Sequence, residues 1–266
     1  MLLFDAHCHL QDEKLAPRLD EAIKNAREAG IGHGVCCGSA ENDWDEVRAL
    51  AQKYPGVIPS FGLHPWYVRE RSQEWLVRLQ DILRSIPSAV GEIGLDHAIE
   101  PHNDEEQESV FIAQVQLAKE LNRPFSIHCR RAWGQLIPLL TEHAPYPAGF
   151  LIHSYSGGPD LVPELAKLGA FFSFSGSITL SGNKKGHRSA RAVPADRLLI
   201  ETDAPDIPPQ IPDKPESRTE LNVPANLIHV LNKMAELRSW TAEKTAEITR
   251  ENGMELFKGL PSIPAT

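Results

Sequence analysis

Met1-Leu-Leu-Phe-Asp-Ala-His-Cys-His-Leu10 begins with an apolar run, Leu2 to Phe4, that leads into Asp5 and then His7-Cys-His9. Side chains alternate faces along a strand, so His7 and His9 point the same way and two imidazoles at one strand end can grip one ion. A lone His-x-His also fits a plain N-terminal strand with two surface histidines. The rest of the chain decides between these readings, because it repeats the same design of an apolar strand followed by a polar tip.

Further strand-like runs fall at 31–38, 57–63, 89–95, 124–127, 150–152, 170–174 and 198–200. Helical periodicity falls between them at 15–29, 43–53, 71–86, 104–121, 131–143, 160–168 and 184–192, with closing helices at 223–235 and 242–257. Asn42 is placed to cap the second helix and Pro138 to kink the fifth. The Pro-rich, polar segment 206–219 reads as an irregular surface loop. Alternation of this kind implies a parallel sheet with helices outside it. Eight units in 266 residues suit a closed (β/α)8 TIM barrel, with 1–266 as one domain. An open doubly wound sheet is the competing layout. The barrel is preferred because polar residues follow nearly every strand, and barrel sites draw on several strand ends around one face.

Lys plus Arg total 27 and Asp plus Glu 36, a net charge of −9. Such a chain is not an all-over nucleic-acid binder, so contact with phosphates must rest on a local basic patch or on bound metal. Cys8, Cys36, Cys37 and Cys129 fit neither a disulfide framework nor a Cys-x-x-Cys zinc site. They read as small buried hydrophobes in a reducing compartment. No apolar run reaches membrane-spanning length, and no basic region precedes an apolar one at the N-terminus. The expectation is a cytoplasmic protein without a membrane partner, its oligomeric state open and a monomer favoured.

The polar tips are His7, His9, His64, Glu92, Asp96, His128, His153 and Asp203. In a closed barrel they converge on the C-terminal face. Four imidazoles and two carboxylates in one mouth are costly without a cation to accept their lone pairs. The mixture suits zinc, manganese, iron or a similar divalent ion. Two ions sharing a carboxylate bridge account for six candidates, more than one open tetrahedral site needs. Asp96 is placed either to hold a ligand histidine or to hold a loop.

Asp5-Ala-His7-Cys-His9, Gly62-Leu-His64-Pro65, Gly91-Glu92-Ile-Gly-Leu-Asp96, Ile127-His128-Cys-Arg130, Ile152-His153-Ser-Tyr-Ser156-Gly157 and Glu201-Thr-Asp203-Ala-Pro205 resemble, in order, the signatures of the TatD family. These are metal-dependent deoxyribonucleases of the amidohydrolase superfamily. The resemblance runs through Asn252 and Phe257. It implies that His7, His9 and Asp203 hold one metal, that His128 and His153 hold a second, and that Glu92 bridges them. The implied cofactor is two divalent ions, zinc, manganese or magnesium. The implied reaction is phosphodiester hydrolysis in single-stranded or frayed DNA, from the 3′ end, with Glu92 and Asp203 as the catalytic carboxylates.

Three stretches depart from the family pattern. Arg131 follows His128-Cys-Arg130 where the family has an acidic residue, His97-Ala98 replaces aromatics, and 206–219 has lost most of a basic stretch. The remaining basic segment is Asn183-Lys184-Lys185-Gly186-His187-Arg188. Lys184, Lys185, Arg130 and His64 are candidate substrate contacts. The alternatives are a solvated helix start for the lysines and a brace for the turn at His64. Trp66, Tyr67 and Tyr155 are placed either to stack bases or to pack their loops. The acidic balance leaves a second class open, an enzyme acting on a small amide, lactone or phosphoester. A third is a binding module that keeps metal for stability.

Overall fold

The computed structural model describes residues 1–260 except Asp213; the end of the expected 1–266 domain lies outside the described residues. Eight parallel strands pair in sequence order: β1 (Leu3–Cys8), β2 (Ile31–Cys37), β3 (Val57–Phe61), β4 (Ala89–Asp96), β5 (Phe125–Arg130), β6 (Phe150–Ile152), β7 (Ala170–Phe174) and β8 (Leu198–Ile200). No regular ladder joins β8 to β1. The seam closes just beyond the strands, where Asp203 N donates to His7 O at 3.0 Å and His9 N to Ala204 O at 2.7 Å. The helices are α1 (Leu19–Glu28), α2 (Trp44–Lys53), α3 (Trp75–Ser85), α4 (Asp104–Glu120), α5 (Trp133–Glu142), α6 (Val162–Lys167), α7 (Lys184–Ala192), α8 (Leu227–Arg238) and α9 (Ala242–Leu256). The expected (β/α)8 barrel is the observed architecture.

Most differences from the expected elements have local causes. The helix expected from residue 71 starts at Trp75, after a 3-10 segment, Pro65–Glu70, has carried the chain off β3. Pro138 lies inside α5. Asn42 does not cap α2. Asp43 takes that position, and its carboxylate turns back to accept from Ser39 N at 2.8 Å, bracing the loop after β2. The 206–219 loop contains a bridge between Ile211 and Lys214 and a 3-10 turn, Pro215–Arg218. β5 continues past residue 127 to Arg130, so His128 lies within the strand.

The inner wall is graded from bottom to top. Phe4, Ala6, Val35, Ile58, Ala89, Leu151, Phe171 and Leu199 fill the lower lumen, plugged by Leu256, Phe257 and Leu260 at the end of α9. Two residues further along their strands stand Cys37, Ser60, Ser173 and Glu201, buried and mostly polar, with Ser126 beside them. The histidines lie above. Period-two alternation produces this layering, but register shifts break it, one in β2 opposite Leu3 and Phe4 and two nearer the site. Asp5 pairs with Gly34 and Cys8 with Cys36, three residues against two; Val90 pairs with Phe125 and Ile93 with Ile127, again three against two. Each extra residue is a bulge that resets which face a side chain takes. Ala89 faces the lumen while Val90 and Ile93 pack among the helices. Only the bulge turns Glu92 inward. Gly94 (φ +152°) permits the close approach of β4 to β5, since an added Cβ would lie 1.9 Å from His128 O.

The plug is anchored by Asn252, whose Nδ2 donates to Ala195 O and Leu198 O, both at 2.8 Å. Next to it, Gly253 lies against the Phe4 ring, where an added Cβ would stand 2.5 Å from Cδ1. Gly253→Ala would gain about 1 kcal/mol in helix propensity. Overpacking against a fully buried ring costs about 1–3 kcal/mol. The expected net outcome is a lower urea midpoint, restored by pairing the change with Phe4→Leu. A higher midpoint in the single variant would show that the plug has slack.

Candidate metal centre

Glu92 stands at the centre of the mouth, and its two oxygens face different nitrogens. Oε2 lies 3.2 Å from His7 Nε2 and 3.3 Å from His9 Nε2. Oε1 lies 2.8 Å from His153 Nε2, 3.0 Å from His128 Nδ1 and 3.2 Å from His64 Nε2. Asp203, held at φ +56° just past β8, brings Oδ1 to 3.6 Å from His9 Nε2 and 3.8 Å from His7 Nε2. A positive φ is tolerated by Asp better than by most residues. All six residues expected as metal ligands meet here, and His64 joins them. Among the described residues, the groups close enough to share an ion are His7, His9 and Glu92; His7, His153 and Asp203; and His64, Glu92 and His128. His153 stands between the two ends of the site. It stacks on His7 with ring centroids 4.0 Å apart, and its Nε2 is 3.4 Å from His128 Nδ1.

The outer nitrogen of each imidazole decides what the inner one can do. His9 Nδ1 faces Cys37 O at 2.8 Å, and a carbonyl can only accept, so the proton sits on Nδ1 and Nε2 is bare. His128 Nε2 lies 3.2 Å from Asp96 Oδ2, which leaves Nδ1 bare toward Glu92. His7 Nδ1 has Ser126 Oγ at 3.2 Å and Cys37 Sγ at 3.3 Å. His153 Nδ1 is buried without a hydrogen-bond partner among the described residues; its nearest acceptor is Glu201 Oε1 at 3.5 Å. In the neutral rings His9 Nε2 and His128 Nδ1 are therefore bare; His9 Nε2 lies 3.2 Å from His7 Nε2, a spacing that suits a cation or a proton between them. The donor set of imidazole nitrogens and carboxylate oxygens fits divalent zinc or manganese, and suits magnesium less, since magnesium prefers oxygen.

Electrostatics point the same way. Burial works against the charge of Glu92, but the imidazoles of His153, His64, His7 and His128 outweigh it and hold its pKa well below the usual range. Asp203 is also lowered, burial being outweighed by its hydrogen bond to His9 and the nearby imidazoles. Burial opposes protonation of His9, yet Asp203 and Glu92 carry its pKa well up. Burial dominates at His64, whose pKa falls to about 4.

Several supports are not among the residues expected to form the site. Glu201 accepts from Ser154 N at 2.7 Å and from the Ser173 hydroxyl. Gln11 Nε2 donates to Cys37 O at 2.7 Å, next to the His9 bond. Asp5 accepts from Thr202 N at 2.8 Å and Thr202 Oγ1 at 2.5 Å, tying β1 to the loop after β8. Single polar residues inside apolar strands look like ordinary satisfied core positions. Asp96, left open between two roles, holds His128 and also accepts from Trp66 Nε1 at 2.7 Å.

Above the centre opens a cavity of about 1110 Å³. Arg130 and Lys185 line it, with Asn183 and Gly186 from the start of α7. Lys184 and Arg131 are exposed and lie outside its wall. Asp12, Glu13, Asp43 and Glu46 make the opposite rim acidic, and Lys14, also in the lining, pairs with Asp206 at 3.1 Å. Trp66 is 52% exposed at the edge, whereas Tyr155 is buried, donates to Gly158 O at 2.7 Å and packs on Trp133, so it holds its own loop. Among the described residues no helix is long and apolar enough to cross a membrane.

Comparison with known proteins agrees with this geometry. The sequence profile described as TatD related DNase matches residues 4–258. The chain is 31% identical to the uncharacterized metal-dependent hydrolase YabD of Bacillus subtilis over 97% of its own length and 99% of that protein's. It is 31% identical to the 3′-5′ ssDNA/RNA exonuclease TatD of Pantoea vagans, over 96% and 99% of the two chains. The crystal structure of the TatD homolog YJJV from Escherichia coli superposes with a TM-score of 0.89 at 29% identity, covering 97% of this chain and 98% of that one. The chain belongs to the TatD-related DNase family of metal-dependent hydrolases.

Proposed function

We propose that this hydrolase shortens single-stranded DNA from its 3′ end. Two divalent cations, zinc or manganese before magnesium, are held by His7, His9, Glu92, His128, His153 and Asp203, with Glu92 bridging. The observation that carries the reading is the division of Glu92, whose Oε2 serves His7 and His9 while Oε1 serves His128 and His153. When bound, such a pair of ions polarises a phosphoryl oxygen, lowers the pKa of water and stabilises a departing oxyanion. The chain's own groups do the rest. Asp203, whose edge reaches the cavity, orients the attacking water and takes its proton.

The polarity of shortening is taken from the Pantoea vagans relative. The cavity exceeds the roughly 300–1,000 Å³ that encloses a drug-sized ligand, leaving room for a terminal nucleotide and part of its neighbour. The ligands lie below the rim, where a strand end reaches them more readily than a base-paired duplex. Arg130, Lys185 and the start of α7 hold the backbone on one side of the mouth. The four cysteines are unpaired and buried, which supports the cytoplasm as the place of work. The acidic rim opposite favours a second reading, a small neutral amide, lactone or phosphoester as substrate.

Hydrolysis of labelled single-stranded DNA by metal-stripped protein, with zinc, manganese or magnesium restored separately, tests the proposal. Ion-dependent loss of 3′ nucleotides that vanishes in Glu92→Ala is expected. No shortening with any ion, despite bound metal, would shift the reading to the small substrate. Arg130→Ala and Lys185→Ala are each expected to raise KM for an oligonucleotide with kcat kept. Each should also flatten the salt dependence of binding, by about 0.7 in log–log slope for every phosphate that is no longer neutralised. Lys184→Ala, outside the cavity wall, should leave both unchanged; equal effects from all three would mean diffuse attraction and no built track.

A further inference from the structure

His64 is buried, and its Nε2 points at Glu92 Oε1 from 3.2 Å, inside a group of atoms close enough to share an ion with His128. By distance alone it qualifies as a ligand. Its other nitrogen says otherwise. His64 caps the 3-10 segment Pro65–Glu70, and Nδ1 accepts the backbone N–H of Trp66 at 3.2 Å. Pro65 has no N–H, so Trp66 supplies the first donor of that turn. The ring is fixed further by His64 N, which donates to Ser39 O at 2.8 Å.

A nitrogen that accepts an N–H keeps its lone pair, so the proton of the neutral ring must sit on Nε2. An Nε2–H cannot bind a cation. His7, His9, His128 and His153 differ in this respect, because groups able to accept a hydrogen bond face their outer nitrogens: Ser126, Cys37, Asp96 and Glu201. We propose that His64 is a positioning residue of the metal centre and not a ligand: its Nε2–H donates to Glu92 Oε1 and fixes the edge of the bridging carboxylate. A carboxylate oxygen has two lone pairs, so Oε1 can accept from His64 and still bind an ion. This rests on the dinuclear reading above.

Two measurements test it on the full chain. In the zinc-loaded protein with labelled histidine, ring-nitrogen NMR reads the tautomer of His64, assigned by its loss in His64→Asn. A protonated Nε2 with a bare Nδ1 supports the proposal; a protonated Nδ1 with a metal-shifted Nε2 overturns it. His64→Asn keeps a capping oxygen for Trp66 N but cannot reach Glu92. It is expected to keep two ions per chain by elemental analysis, with ion affinity at the His128 end weaker by about 10–100-fold. His128→Asn should lose an ion outright. An equal loss in His64→Asn would overturn the assignment. Fewer than two ions in the unmodified protein would instead defeat the dinuclear reading, and the tautomer, read in that form, would still decide His64.

Discussion

A carboxylate buried among five imidazoles is the constraint on which the centre depends. Glu92 is 2% exposed, and the five imidazole nitrogens facing it come from the ends of four strands, β1, β3, β5 and β6, or the turns just after them. Removing a charge from water is costly unless partners compensate for it. Here the partners are themselves oriented from outside, and imidazole charge holds the Glu92 carboxylate ionised. Divalent ions, where bound, would take over that compensation from the protons. Buried charge clusters of this kind are retained at functional sites.

The barrel supplies what the centre needs through its layering. An apolar floor sealed by α9 keeps water out from below, and the hydroxyls of Ser126 and Ser173 form a transition between that floor and the charged mouth. The two bulges matter as much as the layers. β1 and β4 carry His7 and Glu92, and each has an extra residue that turns them inward. A strictly alternating β4 would send Glu92 out among the helices with Val90.

The parts legible in the sequence were those with a strong periodic or positional signal. β6, β7, β8 and α7 fall where apolar runs and helical spacing place them, because short buried strands between clear turns leave little freedom. The six residues proposed to hold metal were legible as polar tips on apolar strands and as blocks of a family pattern. The bulges were not, since an inserted residue leaves composition and hydrophobicity unchanged. Glu201, Ser126, Gln11 and the carbonyl of Cys37 were not singled out either, because their roles appear only once distant strands are side by side. The Asn42 cap failed because α2 begins one residue later, with Asp43 at the cap position and its carboxylate on Ser39 N. Lys184 and Lys185 were indistinguishable in sequence; the turn of α7 sends only Lys185 to the cavity wall.

How a chain of net charge −9 accepts a polyanion follows from where its charges lie. Beyond about 8–10 Å, salt screens most of the acidic surface, so the local field at the mouth decides. Without ions, Glu92 and Asp203 add to the acidic residues of the rim and offset the basic groups of the mouth. With two divalent ions in the proposed sites, those carboxylates are overbalanced by about two positive charges in a floor of low dielectric. Arg130 and Lys185 then stand on the same side as an attractive floor, and the acidic rim opposite leaves one track for a backbone. On this view the ions would be required twice, to draw the strand end down and to act on it there. Elsewhere acidic residues outnumber basic ones, 36 against 27 over the whole chain, which confines that attraction to the cavity.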